Sequence, residues 1–205
     1  MARHTVILAA GEFPKKGGAA WQLLASAARV VACDSAASAY RRRFGTWPTV
    51  LIGDLDSLDE SVRAAAARGG CTVVRVAEQE TNDLEKAMAF CAARGWKNPV
   101  IVGATGKRED HTIGNVFRAL DGRCEIVTDA GRFIPCCGRL TLHLKKGSPV
   151  SVFAPDPHTR MTSKGLAWPL DNVKFRNLYC ATLNRATATR VTISSTKPTY
   201  IYIKL

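Results

Sequence analysis

Apolar and polar positions change rhythm once along this chain of 205 residues. Up to about Asp129, short continuous apolar runs alternate with longer segments whose apolar positions recur every three or four residues. The runs Thr5–Ala9, Val30–Cys33, Thr49–Ile52, Thr72–Val76, Val100–Val102 and Glu125–Thr128 read as strands. Between them Gly18–Ala28, Ser35–Arg43, Glu60–Arg68, Asp83–Arg94 and Thr112–Leu120 read as helices. The fourth of these sets Leu84, Ala87, Met88 and Cys91 at i, i+3, i+4 and i+7, one face of a helix. Unbroken apolar strands separated by helices predict a mostly parallel, doubly wound sheet with helices on both faces.

Beyond Asp129 the helical period stops. Short alternating runs follow (Thr141–Leu144, Val150–Phe153, Thr189–Ile193 and Tyr200–Lys204), punctuated by Pro, Gly and Asn. They predict an antiparallel all-β unit, a sandwich or a barrel. The fold class is therefore α/β with a C-terminal antiparallel β unit, divided into domains 1–130 and 131–205.

Composition adds little to this picture, and charge adds more. Apolar residues at 46% and charged residues at 22% are ordinary for a globular protein. No apolar run approaches bilayer length, and Met1–Thr5 lead directly into the first strand without a leader pattern. The seven cysteines form no metal-finger spacing, and Cys33, Cys71, Cys91 and Cys124 lie in or beside apolar runs. Reduced thiols in such places behave as small hydrophobes, so a cytoplasmic location is expected. The net charge of +12 is uneven: residues 130–205 carry 12 basic side chains and two acidic ones, Asp156 and Asp171. Such a surface draws in polyphosphate or nucleic acid, or serves solubility.

The candidate chemistry lies at strand ends. Gly53-Asp54-Leu55-Asp56-Ser57 follows the strand Thr49–Ile52 and places two carboxylates two residues apart. Asp34 follows Val30–Cys33, Asp83 opens the helix after Thr72–Val76, and Asp110 follows Val100–Val102. In a doubly wound sheet ligands bind beyond the carboxyl ends of the strands. One strand-end Asp is more often a helix cap or a first-turn charge. Five such carboxylates at one edge repel unless cations sit among them, which points to Mg²⁺-bound phosphates. Lys86 lies one turn after Asp83, where a surface ion pair is the plainer explanation. The loop Gly103–His111 has glycines suited to cradling phosphate but lacks the P-loop spacing. Arg108 can clamp a phosphate oxygen, and His111 reads equally as a base or as a capping or core histidine.

Together these motifs resemble the thiamine pyrophosphokinase family. Gly53–Ser57 matches its GDxDS, Gln79–Ala87 resembles Q-x-x-[TN]-D-x-x-K-A, Gly103–His111 resembles GATGGRxDH with Asn115 beyond it, and Cys33–Ala37 is similar to A-D-G/S-G-A. In the β region Thr162–Leu170 looks like T-x-x-G-L-x-[WY]-x-L, and Ala181–Asn184 resembles [GT]-x-S-N. The resemblance implies an α/β domain holding Mg-ATP and a β-sandwich that helps bind thiamine, assembled as a homodimer. It implies transfer of the terminal pyrophosphoryl group of ATP to the hydroxyl of thiamine, leaving AMP. By resemblance Asp54, Asp56 and Asp83 bind Mg²⁺ or orient the hydroxyl, assisted by Asp34. Gln79, Lys86, Arg108 and Asp110 contact ATP phosphates or thiamine, with Thr81, Gly103, Thr105, Gly106 and His111 on the nucleotide side. Trp168 packs against the cationic thiamine rings, its plainer alternative being a β-core tryptophan, while Thr182 and Asn184 hydrogen-bond the aminopyrimidine. The sequence departs from the pattern at Lys107, in place of the second Gly of GGR, at Ala36, and at Leu183, where Ser is common.

Two alternatives stand beside this expectation. A pyrophosphokinase acting on another hydroxymethyl heterocycle, such as a pterin, would use the same Asp cluster. A nucleic-acid-binding module would exploit the basic C-terminal region. Against the latter, its basic residues alternate with apolar ones and are not interleaved with surface aromatics.

Overall fold

The computed structural model describes residues 4–205. The chain divides into two compact units, one ending at Asp129 and the other running from Ala130 to Leu205. In the first unit six strands are β1 (Thr5–Leu8), β2 (Arg29–Cys33), β3 (Val50–Gly53), β4 (Thr72–Arg75), β5 (Val100–Val102) and β6 (Glu125–Val127). The helices between them are α1 (Ala19–Ala25), α2 (Ala36–Phe44), α3 (Glu60–Arg68), α4 (Asp83–Ala93) and α5 (Glu109–Asp121). The strands pair in parallel in the order β6-β5-β1-β2-β3-β4.

Alternation along the strands divides the core between two faces. Val6, Leu8, Val30, Ala32 and Leu51 pack with Ala20 and Leu24 of α1, Ala36 and Ala37 of α2 and Ala66 of α3. The residues between them (Ile7, Val31 and Ile52) are also buried and point to the opposite face. There α4, which contacts β1, β2 and β3, supplies Leu84, Ala87 and Cys91. Two-sided burial is why these strands read as continuous apolar runs. Edge strand β4 is less buried.

The second unit is antiparallel. Its long strands β7 (Gly131–His143) and β11 (Arg190–Lys204) pair along their length; β8 (Pro149–Phe153) and β9 (Met161–Lys164) pair with opposite ends of β11, and β10 (Ala181–Arg185) pairs with β8. Between Ser195 and Thr199 the ladder shifts register, so that Thr196, Lys197 and Pro198 oppose Cys137 alone. Pro198 donates no ladder hydrogen bond, and such an insertion bends the strand. The two halves of β11 thus serve different neighbours around one core that includes Val150, Val152, Leu170, Phe175, Val191, Ile193 and Ile201.

The structure extends several expected elements. Thr189–Ile193 and Tyr200–Lys204 are one interrupted strand, and β7 begins ten residues before its expected start at Thr141. Strands β9 and β10 were not expected at all. Helix α5 starts at Glu109, so Asp110 and His111 lie on its first turn rather than in the loop. Cys136 is buried and Cys137 exposed, as alternation along β7 dictates. Among the described residues no helix is long and apolar enough to cross a membrane.

Candidate active site

The strand order reverses direction between β1 and β5: β2, β3 and β4 follow on one side of β1, and β5 and β6 on the other. Chain segments leaving two such strands diverge, and the crevice between them is where ligands bind in open α/β sheets. A cleft of about 260 Å³ opens there. One wall is Ala9–Gly11, just past β1; another is the loop after β5 with Gly106, Lys107 and Arg108; the start of α4, Asn82–Leu84, closes a third. His111 and Asn115 of α5 and Cys33 of β2 complete the lining.

Backbone contacts hold the two loops together. Gly11 N–H donates to Gly103 O at 2.8 Å and Glu12 N–H to Thr105 O at 2.8 Å. A Cβ at Gly11 would stand 2.4 Å from Gly103 O and 2.5 Å from Thr105 O, so only glycine permits this approach. Lys107, with φ of 59°, bends its ammonium back to donate to Ala10 O at 2.8 Å. The departure from the family pattern therefore adds a third tie between the loops. Asn115 extends the scaffold, donating to Ala104 O at 3.0 Å and accepting from Asn82 Nδ2 at 3.2 Å.

The acidic residues occupy the adjoining strand ends. Asp34 has a left-handed backbone, φ 42°, unusual for a residue other than glycine and fixed here by its N–H donating to Ile52 O at 2.8 Å. Its Oδ2 accepts from Ser57 Oγ, whereas its buried Oδ1 has no hydrogen-bond partner among the described residues. A Cβ at Gly53 would lie 3.1 Å from Asp83 Oδ1 and 3.2 Å from Asp34 Cβ; glycine lets both carboxyl groups close over the end of β3. Helix α4 is capped by Asn82 in a reciprocal capping box with Glu85, which leaves the Asp83 side chain out of capping. Burial, then the neighbouring Asp34 charge, raises the Asp83 carboxyl above its usual range against the opposing pull of Lys86; Asp54 pushes it the same way as Asp34. The Lys86 ammonium lies 3.6 Å from Asp83 Oδ1 with its side chain 2% exposed. It is a buried partner, not the surface ion pair that its spacing suggested.

Asp54 accepts from Asp56 N–H at 3.1 Å and from Gln79 Nε2 at 3.2 Å, which lower its affinity for a proton. Asp56 faces outward to Arg75 at 3.5 Å. Thr81 Oγ1 is engaged with Glu78. Arg108 holds Asp110 through two hydrogen bonds, at 3.1 and 2.5 Å, and this pairing lowers the Asp110 carboxyl to about 2. His111 is exposed, so a core role is ruled out. Sequence reasoning missed Gly11 and Asn82 as cleft residues, whereas Lys107, marked as a departure within the phosphate-cradling loop, does line the cleft. Gly11 carried one usable signal, a glycine two residues past an apolar strand.

Among the described residues no three His, Cys, Asp or Glu side chains group closely enough to hold a metal ion alone. The expected trio Asp54, Asp56 and Asp83 therefore does not form a preassembled cage. An unpartnered buried oxygen on Asp34 beside a carboxyl that its neighbours repel does fit Mg²⁺, which typically takes one or two protein carboxylates plus phosphates and water.

In the second unit Trp168 is 56% exposed, which excludes the core-tryptophan alternative. Its backbone is locked by Asn184, which accepts from Trp168 N–H at 3.2 Å and donates to Trp168 O at 2.7 Å. The Arg185 guanidinium covers the ring at 5.5 Å. Asn184 is itself buried, whereas Thr182 donates to Tyr179 O at 3.1 Å and Leu183 is fully exposed beside it.

Comparison with known proteins agrees across both units. Residues 20–127 match the family model for the thiamin pyrophosphokinase catalytic domain, and residues 131–202 match that for the thiamin pyrophosphokinase substrate-binding domain. The chain is 25% identical over 183 residues to thiamin pyrophosphokinase 1 of Caenorhabditis elegans, covering 80% of this chain and 73% of that protein. Its fold resembles that of thiamin pyrophosphokinase from Candida albicans, with a TM-score of 0.77 at 14% identity over 99% of this chain and 89% of that one. The Bacillus subtilis thiamine pyrophosphokinase gives 0.72 at 21% identity over 98% of both chains. The chain belongs to the thiamin pyrophosphokinase family of enzymes.

Proposed function

We propose that this chain transfers the pyrophosphoryl group of ATP to the hydroxyl of thiamine, giving thiamine diphosphate and AMP, and that the switch-point cleft of the first unit holds the nucleotide. The observation carrying this reading is the division of charge around that cleft. Arg108 and the ammonium of Lys107 lie on the loop side, while Asp83, with Asp34 adjoining, lies at the strand ends. Phosphates need the former, and an attacking hydroxyl needs the latter.

In this account Gly103, Thr105 and Gly106 shape the loop against which the phosphates lie. Arg108 exchanges Asp110 for a phosphate oxygen, which suits an exposed pair formed within one loop–helix junction. Lys86 balances the charge of Asp83 from beneath. Asp34 and Asp83 are the residues that would hold Mg²⁺, with the Asp54 charge nearby, and the ion would neutralise phosphate charge when bound. Asp56, turned toward Arg75, and Gln79 steer the thiamine hydroxyl. In the second unit Trp168 offers a ring to the cationic thiamine, and Asn184 acts by fixing the Trp168 backbone. Thr182 supplies a hydroxyl beside it. We further propose that the enzyme works as a homodimer in the cytoplasm.

Asp54→Asn tests the assignment. Thiamine-dependent AMP formation should fall at least about a hundredfold, in line with loss of a group positioned for the transition state. The thermal midpoint should change little, because Asn keeps an oxygen that can accept from Asp56 N–H as Asp54 Oδ1 does. Unchanged turnover would remove Asp54 from the site.

A further inference from the structure

A second cleft, of about 820 Å³, lies wholly within the β unit, and neither Trp168 nor Asn184 lines it. Its rim carries His158 and Arg160 from one loop and Lys174 and Arg176 from another; Asp171 is its sole acid and Phe175 and Met161 form its floor. The unit has only two acidic side chains, Asp156 and Asp171, and both are spent on structure. Asp156 accepts from His158 N–H at 2.7 Å and faces Lys197 at 3.9 Å, while Asp171 accepts from Ser163 N–H at 3.3 Å.

The loops that present the cations are fixed. Arg160 N–H donates to Thr196 Oγ1 and Thr196 N–H returns to Arg160 O, each at 3.0 Å, which anchors one loop to the interrupted part of β11. Opposite, Leu170 N–H donates to Ser163 Oγ at 2.9 Å and Arg176 N–H to Lys174 O at 2.9 Å. Among the described residues, three permanent cations, Arg160, Lys174 and Arg176, line one concavity with no ion pair to a carboxylate. Like charges so arranged repel one another, and an anion spanning them relieves that cost.

We propose that this cleft binds a compact small molecule bearing two or more phosphate groups. Its size falls within the range of small-ligand sites. Nucleic acid fits it less well, since single strands need an extended groove with exposed aromatic platforms and the aromatic ring here is buried. Arg160 and Arg176 would each take phosphate oxygens in two-pronged fashion, with Lys174 as a point charge between them.

Met161 reports on the site directly. The full-length protein labelled at its methionine methyl groups should show a saturable shift of the Met161 signal on titration with sodium tripolyphosphate. The double substitution Arg160→Ala/Arg176→Ala should weaken that response at least about tenfold. Asp54→Asn in the other unit should leave it intact. A parallel ATP titration separates the two sources of the chemistry: equal affinity shows that a phosphate chain suffices, and tighter ATP binding shows that a nucleotide is preferred. The proposal is overturned if Met161 does not respond at millimolar probe. It is equally overturned if the response survives the double substitution or is reproduced by sodium chloride at matched ionic strength.

Discussion

At the scale of single residues, the site is explained by what each polar atom lacks or has. Asp83 is the clearest case. Its carboxyl is raised by burial and by Asp34, so the folded state holds a proton there more tightly than the unfolded chain does. The charged form therefore weighs against folding at neutral pH. That cost fades as pH falls through the raised value toward the ordinary one of the unfolded chain. A divalent cation should relieve the same repulsion. Added Mg²⁺ should raise the thermal midpoint at neutral pH, and the increment should shrink as acid titrates Asp83. An increment of constant size across that range, or none, would argue against a carboxylate-bound cation. Trp168 gives a separate prediction. Trp168→Ala should raise KM for thiamine about tenfold, the scale of a partly desolvated cation–π contact, with little effect on the midpoint because the ring is largely exposed. Gly11→Ala, by contrast, places a Cβ against two carbonyl oxygens. It should cost about 1–3 kcal/mol as overpacking does and weaken ATP binding by displacing the loop after β5.

At the scale of elements, the cleft depends on how helices begin. Asn82 caps α4 through Glu85 and also donates to Asn115 of α5, whose own amide supports the loop at Ala104. Arg118 of α5 reaches Glu85 at 2.7 Å, so one carboxylate serves both the cap and the helix pair. Replacing Asn82 by Ala should cost about 1 kcal/mol, seen as a drop of about 2–4 °C in the thermal midpoint. A shift within error would mean that the capping box adds nothing here. The elements also show what a sequence makes legible. Strands β1, β2 and β3 are buried on both faces and stand out as apolar runs. Strands β9 and β10 do not, because Thr162, Ser163, Lys164, Leu183 and Arg185 are not buried and leave no apolar signature. The first turn of α5, Glu109-Asp110-His111, is wholly exposed, so nothing apolar marks where the helix starts. Pro198 hides the continuity of β11 because it looks like a strand break when it is an interruption inside one strand.

At the scale of the molecule, the change of rhythm near Asp129 coincides with the boundary between two units that have separate cores. The strand-end carboxylates were legible because parallel strands all end on one edge, and their carboxyl termini can be read off the chain. The tie from Lys107 to Ala10 was not, since it spans 97 positions and no local pattern encodes it. The basic excess of the β unit was visible as a count, but that Arg160, Lys174 and Arg176 come to line one cleft needs the fold of the two loops that flank β9. The central claim is that these parts together make a pyrophosphoryl transferase acting on thiamine. The most direct measurement is AMP release from Mg-ATP with thiamine, with a hydroxymethyl pterin, and with neither. The account predicts AMP and thiamine diphosphate formed in equal amounts with thiamine and only background release otherwise; stimulation by the pterin and not by thiamine would contradict it.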